Sequence, residues 1–254
     1  MARADVHFNA LRDDLKSFAD DKPYRAVANH NADFTEHTLS VEFMDRSVFH
    51  DWGLMLGDCV HNMRSALDGA IYEVAIRESG IDPPPNERTL MFPITKDKDE
   101  FKKHGQWRIK TLSDPIQAII EFHQPYNRGS QPLDRAFLWR LNEFDAADKH
   151  RTIRLTCLGL TEGSGFLNVE AGDEISFTRT DGPLETGTPF LTITSEHPMP
   201  NVKMKDPQVE VRVALESRFD DNVVPELLDP LSVLRGFRNA AGRVIDALER
   251  ALHD

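Results

Sequence analysis

The stretch from about Val48 to Glu78 constrains this chain more than any other. Trp52, Leu56, Val60, Met63, Leu67, Ile71 and Val74 recur every three or four residues without a break, which is the period of one helical face. The spacing predicts a single long helix, and a helix of that length with a continuous apolar stripe must run through the middle of a core. Gly80 and the run Pro83, Pro84, Pro85 end it, because glycine accepts the left-handed cap and proline offers no amide donor.

The flanking patterns fill in an α+β plan. Phe8, Leu11, Leu15 and Phe18 predict a short amphipathic helix before Pro23. Leu39, Val41 and Phe43 then alternate with polar neighbours, as in a strand, and pair with Tyr24 to Ala28 as a hairpin. Residues 96 to 104 and 113 to 123 read as shorter helices, and Pro132 marks the first turn of another that runs to about Arg151. From 152 to 217 strand patterning returns and predicts a small antiparallel sheet. Leu227, Leu231, Leu234, Ala241, Ile245, Leu248 and Leu252 predict a closing helix that packs back on the bundle. The expectation is one α+β domain over 1–254, with a helical core (1–151 and 225–254) and a β-rich insertion (152–217).

Composition narrows the function. The 254 residues carry 30 Lys plus Arg against 42 Asp plus Glu, a net charge of −12, which repels polyanions except at a local basic patch. Hydrophobic residues at 40% supply an ordinary core. Cys59 and Cys157 belong to no CxxC pair and read as reduced core thiols. No run approaches the ~18 apolar residues of a membrane span, so the expected setting is cytoplasmic, without membrane contact.

Chemistry-bearing residues concentrate on the long helix, where Gly57, Asp58, His61, Asn62, Arg64, Ser65 and Asp68 fall together. At 100° per residue His61, Arg64 and Asp68 share one stripe beside the apolar face. The helix ending near Arg151 supplies a second group. Its stripe Phe137, Leu141, Phe144 continues to Asp148, with Asp145 one turn earlier and Lys149, His150 and Arg151 after it. A carboxylate on an apolar face needs a cation or several donors, and Arg64 is the expected partner of Asp148. Three readings stay open, one of them a ligand pocket without chemistry. In another, Arg64 and Asp148 simply lock two helices. In the third, His61, Arg64, Asp68, Asp148 and His150 line a catalytic cleft in which histidine exchanges protons and arginine steadies an anion. The spacing of His and acidic residues matches no metal-binding pattern, so no metal and no cofactor are expected. A separate segment runs against the global charge: six Lys and Arg against three acids between 96 and 110, with Lys102, Lys103, Trp107 and Arg108 at its centre. Together with Lys149 and Arg151 these form the candidate nucleic-acid contacts.

The blocks Gly57-Asp58-Cys59-Val60-His61-Asn62-Met63-Arg64-Ser65-Ala66-Leu67-Asp68, Phe92-Pro93-Ile94, Gln124-Pro125-Tyr126 and Asp148-Lys149-His150-Arg151 occur in this order. They resemble a widespread family of bacterial, largely actinobacterial, and phage proteins to which no activity is attached. In many members a histidine follows the Asp of the first block, giving Arg-x4-His, which resembles the signature of HEPN ribonucleases. That resemblance implies an all-helical, dimeric, metal-independent RNA-cleaving protein of toxin or phage-defence systems, with Arg64 on the scissile phosphate. Here the histidine position is Gly69, so His61 or His150 would have to take its part, and the strand-rich 152–217 region lies outside a minimal HEPN bundle. Three functions follow: an interaction or regulatory protein, a HEPN-like endoribonuclease or degenerate relative, and a small-molecule enzyme or ligand-binding protein.

Overall fold

A computed structural model describes residues 1–127, 136–148, 155–160, 174–179, 184–200, 210–217 and 226–253. The long helix forms as its stripe dictates. α2 (Ser47–Ser79) has 33 residues, and Leu56, Val60, Met63, Leu67 and Ile71 are wholly buried along it. Gly80 closes it in the left-handed conformation at φ 68°, its amide returning to Ile76. α1 (Ala2–Asp21) lies beside α2 and buries Ala4, Leu11 and Phe18. β1 (Tyr24–His30) and β2 (Glu36–Phe43) pair antiparallel from Tyr24↔Phe43 to His30↔His37. Their loop is tied by side chains: Asn31 accepts from the Glu36 amide at 3.0 Å, and Asp33 accepts from the Thr35 hydroxyl at 2.8 Å. Phe18, Phe43, Phe49 and Trp52 meet edge to face where helix, hairpin and helix converge.

The predicted helix at 96–104 is a composite of α3 (Lys98–Glu100), a π-turn (Phe101–Gly105) and α4 (Gln106–Ile109). α5 (Asp114–Phe122) follows as expected. α6 spans Phe137–Asp148; the predicted start at Pro132 lies outside the described residues. Its buried line is Leu138, Leu141, Phe144 and Asp145, while Phe137 is partly exposed. The stripe keeps Leu141 and Phe144 and turns toward Leu138 and Asp145, away from Phe137 and Asp148.

The β region departs further from expectation. It is divided between two antiparallel sheets, and the strands of 152–217 do not form one insertion sheet. β4 (Ile175–Arg179) and β5 (Pro189–Ser195) join the N-terminal hairpin in the order β1-β2-β5-β4. Leu39 faces Leu191, and a register shift follows at Ser40. β3 (Leu155–Leu160), β6 (Glu210–Ser217) and β7 (Glu226–Leu228) form the other sheet. Leu227 thus belongs to a strand, and α7 (Pro230–Ala251) begins with Asp229 accepting from the Ser232 amide at 2.8 Å and proline in its first turn. α7 packs on α2, α6 and α5, and Gly236 leaves the gap that the Phe137 ring fills. The described core is one contiguous cluster running from α1 through both sheets to α7. The architecture is α+β, with a C-terminal helix closing the bundle.

Candidate functional site

α6 crosses α2 antiparallel and brings acids onto the polar edge of the long helix. The His61 Nδ1 lies 3.2 Å from an Asp145 carboxylate oxygen. Asp145 is buried, its side chain 6% exposed, whereas the His61 side chain is 57% exposed. A buried carboxylate thus orients an imidazole whose ring reaches solvent. One turn along each helix, the Asp148 carboxylate rests on the bare backbone of Gly57. A Cβ built there would stand 2.7 Å from its Cγ and 2.8 Å from Oδ2. Burial, then the neighbouring Asp145 and Asp58 charges, push the Asp148 carboxyl above its ordinary range, and His61 works in the opposite sense. His7 on α1 completes the rim, 3.7 Å from Asp58.

Arg64 takes no part in this cluster. Gly57 and Arg64 are seven residues apart, two turns and about 10.5 Å along the axis, and the predicted Arg64–Asp148 pair does not form. The Arg64 side chain is only 11% exposed. It donates to Asp68 at 2.6 Å and to the Phe92 carbonyl at 2.8 Å. Asp68 in turn accepts from the Phe92 amide at 2.9 Å. One i,i+4 pair therefore satisfies both backbone groups of Phe92, whose own side chain is wholly buried. Such charge-assisted bonds contribute about 1.5–3 kcal/mol each.

The clasp continues through a residue that sequence reasoning left without a role. Gln124 is wholly buried. Its oxygen accepts from the Thr95 amide at 3.1 Å and hydroxyl at 3.2 Å. Its nitrogen donates to the carbonyls of Pro93 at 2.8 Å and Ile120 at 3.1 Å. All four bonding positions of the amide are used. Phe92-Pro93-Ile94 is thus held from one side by Arg64 and Asp68 and from the other by Gln124. Its signal in the sequence was its place in the block Gln124-Pro125-Tyr126, directly before a proline.

The basic segment packs on this fastened stretch. Phe101, Gly105 and Ile109 are buried, and a Cβ on Gly105 would come within 3.2 Å of Pro93. Lys102, Lys103 and Lys110 are exposed, and Trp107 is 43% exposed. The Arg108 guanidinium lies 5.1 Å from the Trp107 ring centre and also contacts the Met91 sulfur. Lys149, His150 and Arg151 lie outside the described residues. Gly69, at the histidine position of the HEPN-like pattern, is exposed with nothing within 4 Å of a built Cβ.

Among the described residues no group of three or more His, Cys, Asp or Glu side chains converges as metal ligands do, and no helix is long and apolar enough to cross a membrane. Cys59 is buried against the Ala4 carbonyl, and burial raises its thiol to about 12. Such a thiol is no nucleophile near neutral pH. Comparisons with protein-family models, with curated proteins and with solved structures give no match, so the reading of the site rests on its own geometry.

Proposed function

We propose that this chain is an interaction or regulatory protein of the bacterial and phage kind that its sequence blocks resemble, in which those blocks build a rigid frame. One observation carries this reading: Arg64, the residue that a HEPN-like nuclease would aim at phosphate, is committed to Asp68 and to the Phe92 carbonyl. A guanidinium already satisfied at both ends loses those bonds if it turns to a new anion. The surroundings oppose a phosphodiester as well, since Asp58, Asp145 and Asp148 gather around His61. A cytoplasmic setting accords with the two cysteines, of which Cys59 is a buried free thiol.

The test is incubation of the purified protein with total RNA in EDTA, alongside thermal unfolding. The expected result is intact RNA for the wild type, and for Arg64→Ala a stability loss of at least about 3 kcal/mol, because the Phe92 carbonyl and Asp68 both lose their charge-assisted donor. Cleavage that disappears in Arg64→Lys without a change in Tm would overturn the reading in favour of the endoribonuclease. RNA bound without cleavage, and lost in a Trp107→Ala, Lys102→Glu variant, would instead identify RNA as the partner through the basic segment.

A second reading has its own observation. His61, oriented by buried Asp145 and open to solvent, is arranged as a general acid or base, which suits a small-molecule enzyme. Hydrolysis of activated esters that follows a single ionisation and vanishes in His61→Gln would support it.

A further inference from the structure

We propose that the cross-strand pair His30 and His37, at the turn end of the first hairpin, is a two-ligand site for a divalent transition-metal ion of the zinc type. The hairpin register sets His30 directly opposite His37, so both side chains leave the same face of the sheet. The Asn31 amide donates to the Glu36 carbonyl at 3.0 Å. In the alternation of an antiparallel ladder this makes His30↔His37 a non-hydrogen-bonded pair, the kind whose side chains stand closest. The ring centres are 6.0 Å apart. An imidazole centre sits about 3.2 Å from a zinc ion that it ligates, so two rings on a tetrahedral ion stand about 5.2 Å apart. The pair has to close by less than about 1 Å, and His30 is exposed, with room to make that move.

The two rings are prepared in different ways. His37 is 4% exposed, and its Nε2 is buried with no hydrogen-bond partner among the described residues. A ring nitrogen withdrawn from water and left unbonded is costly in either tautomer, and an ion supplies the missing bond. On β5 the cross-strand neighbour of His37 is the buried Ile193, so of its two cross-strand neighbours only His30 is polar. His30 is oriented from behind. Its Nδ1 lies 2.9 Å from the Asn31 carbonyl; a carbonyl only accepts, so Nδ1 holds the proton and Nε2 keeps its lone pair for a ligand. A backbone carbonyl on the far nitrogen is the usual support of a metal-bound imidazole. The Phe34 ring stacks on His30 at 4.3 Å. Its backbone is held at φ 57°, which a bulky residue adopts only where its surroundings keep it there, and its carbonyl accepts from the Met199 amide at 2.8 Å. Two imidazoles leave the remaining positions of the ion to water or to an incoming ligand. No spacing in the sequence announces the pair, because residues 30 and 37 meet only through the register of the turn.

The test is a titration of the full-length protein with zinc chloride near neutral pH, followed through the ring resonances of its histidines and through Tm. The expected result is a single equivalent of zinc that moves the His30 and His37 resonances together and raises Tm, since an ion held by the folded chain alone stabilises it. His30→Ala alters an exposed side chain, and should keep the fold while weakening zinc binding about tenfold or more. His37→Phe keeps a ring in the buried position without the unbonded nitrogen. It should abolish the zinc response and melt no lower than the wild type does without metal. Zinc that leaves both rings unmoved would overturn the proposal and leave water as the partner of the His37 nitrogen. So would zinc binding that His30→Ala retains, or that His61→Ala removes, since the ion would then sit at the cluster of Asp58, Asp145 and Asp148.

Discussion

At the scale of single residues the acids on the polar edge of α2 divide into two kinds. Asp68 is paired with Arg64 and bonds a backbone amide. Asp148 instead sits on α6 beside two other acids, partly withdrawn from water. Its raised pKa means that the folded state holds this proton more tightly than the unfolded chain does. The contribution of Asp148 to stability is therefore greatest below the ordinary aspartate value of about 3.9 and is lost as pH climbs through the folded value. Asp148→Asn should melt at a higher temperature than wild type at neutral pH, and the two curves should meet in acid. Melting temperatures measured from pH 4 to pH 7 check this, and a constant gap across the range would refute it. Asp5 acts in the opposite sense. Arg238 bonds it at 2.6 Å and holds its carboxyl low, so its contribution is present above the ordinary value and is lost as pH falls.

At the scale of elements α2 offers two glycines with opposite surroundings. Both forfeit about 1 kcal/mol of helix propensity relative to alanine. Gly69 faces open space, so Gly69→Ala should raise Tm by about 2–4 °C in a chain of this size. Gly57 lies under the Asp148 carboxyl, so Gly57→Ala should lower Tm, and adding Asp148→Ala should recover the gain. Thermal melts of the three variants decide the matter. These elements also mark what the sequence reveals. The span of α2, its cap at Gly80, the first hairpin and the closing helix all follow from local period and local stop signals. Buried Asp145 was harder to place, because an apolar stripe is wide enough for 145 and 148 to exchange roles while Leu141 and Phe144 stay buried. Of the two partners of Arg64, Asp68 is legible as its i,i+4 neighbour on the same stripe, whereas the peptide group of Phe92 was out of reach, because a peptide group has no sequence signature. Strand partners were hidden for a related reason: a period of two says which side of a strand is buried and nothing of its neighbour.

Across the whole molecule the charge imbalance is the dominant long-range term. Exposed pairs such as Arg12–Asp13 and Arg25–Glu42 contribute little, about 0–1 kcal/mol each, while a net charge of −12 works against compaction as a whole. Moderate sodium chloride should therefore raise Tm, because screening relieves more repulsion than it removes attraction; at 0.1 M the Debye length is about 10 Å. A calorimetric salt series checks it, and a fall in Tm would mean that local pairs outweigh the global field.

The order of strands in the larger sheet has a consequence for synthesis. β2 finds β1 at once, yet its other flank waits for β5, roughly 150 residues further along the chain. At ribosomal rates of about 5–20 residues per second that wait lasts on the order of ten to thirty seconds. Throughout it the nascent chain shows an unmatched row of amides and carbonyls along Glu36–Ser40, which is the place for a chaperone to hold and the place where crowded translation would first go astray.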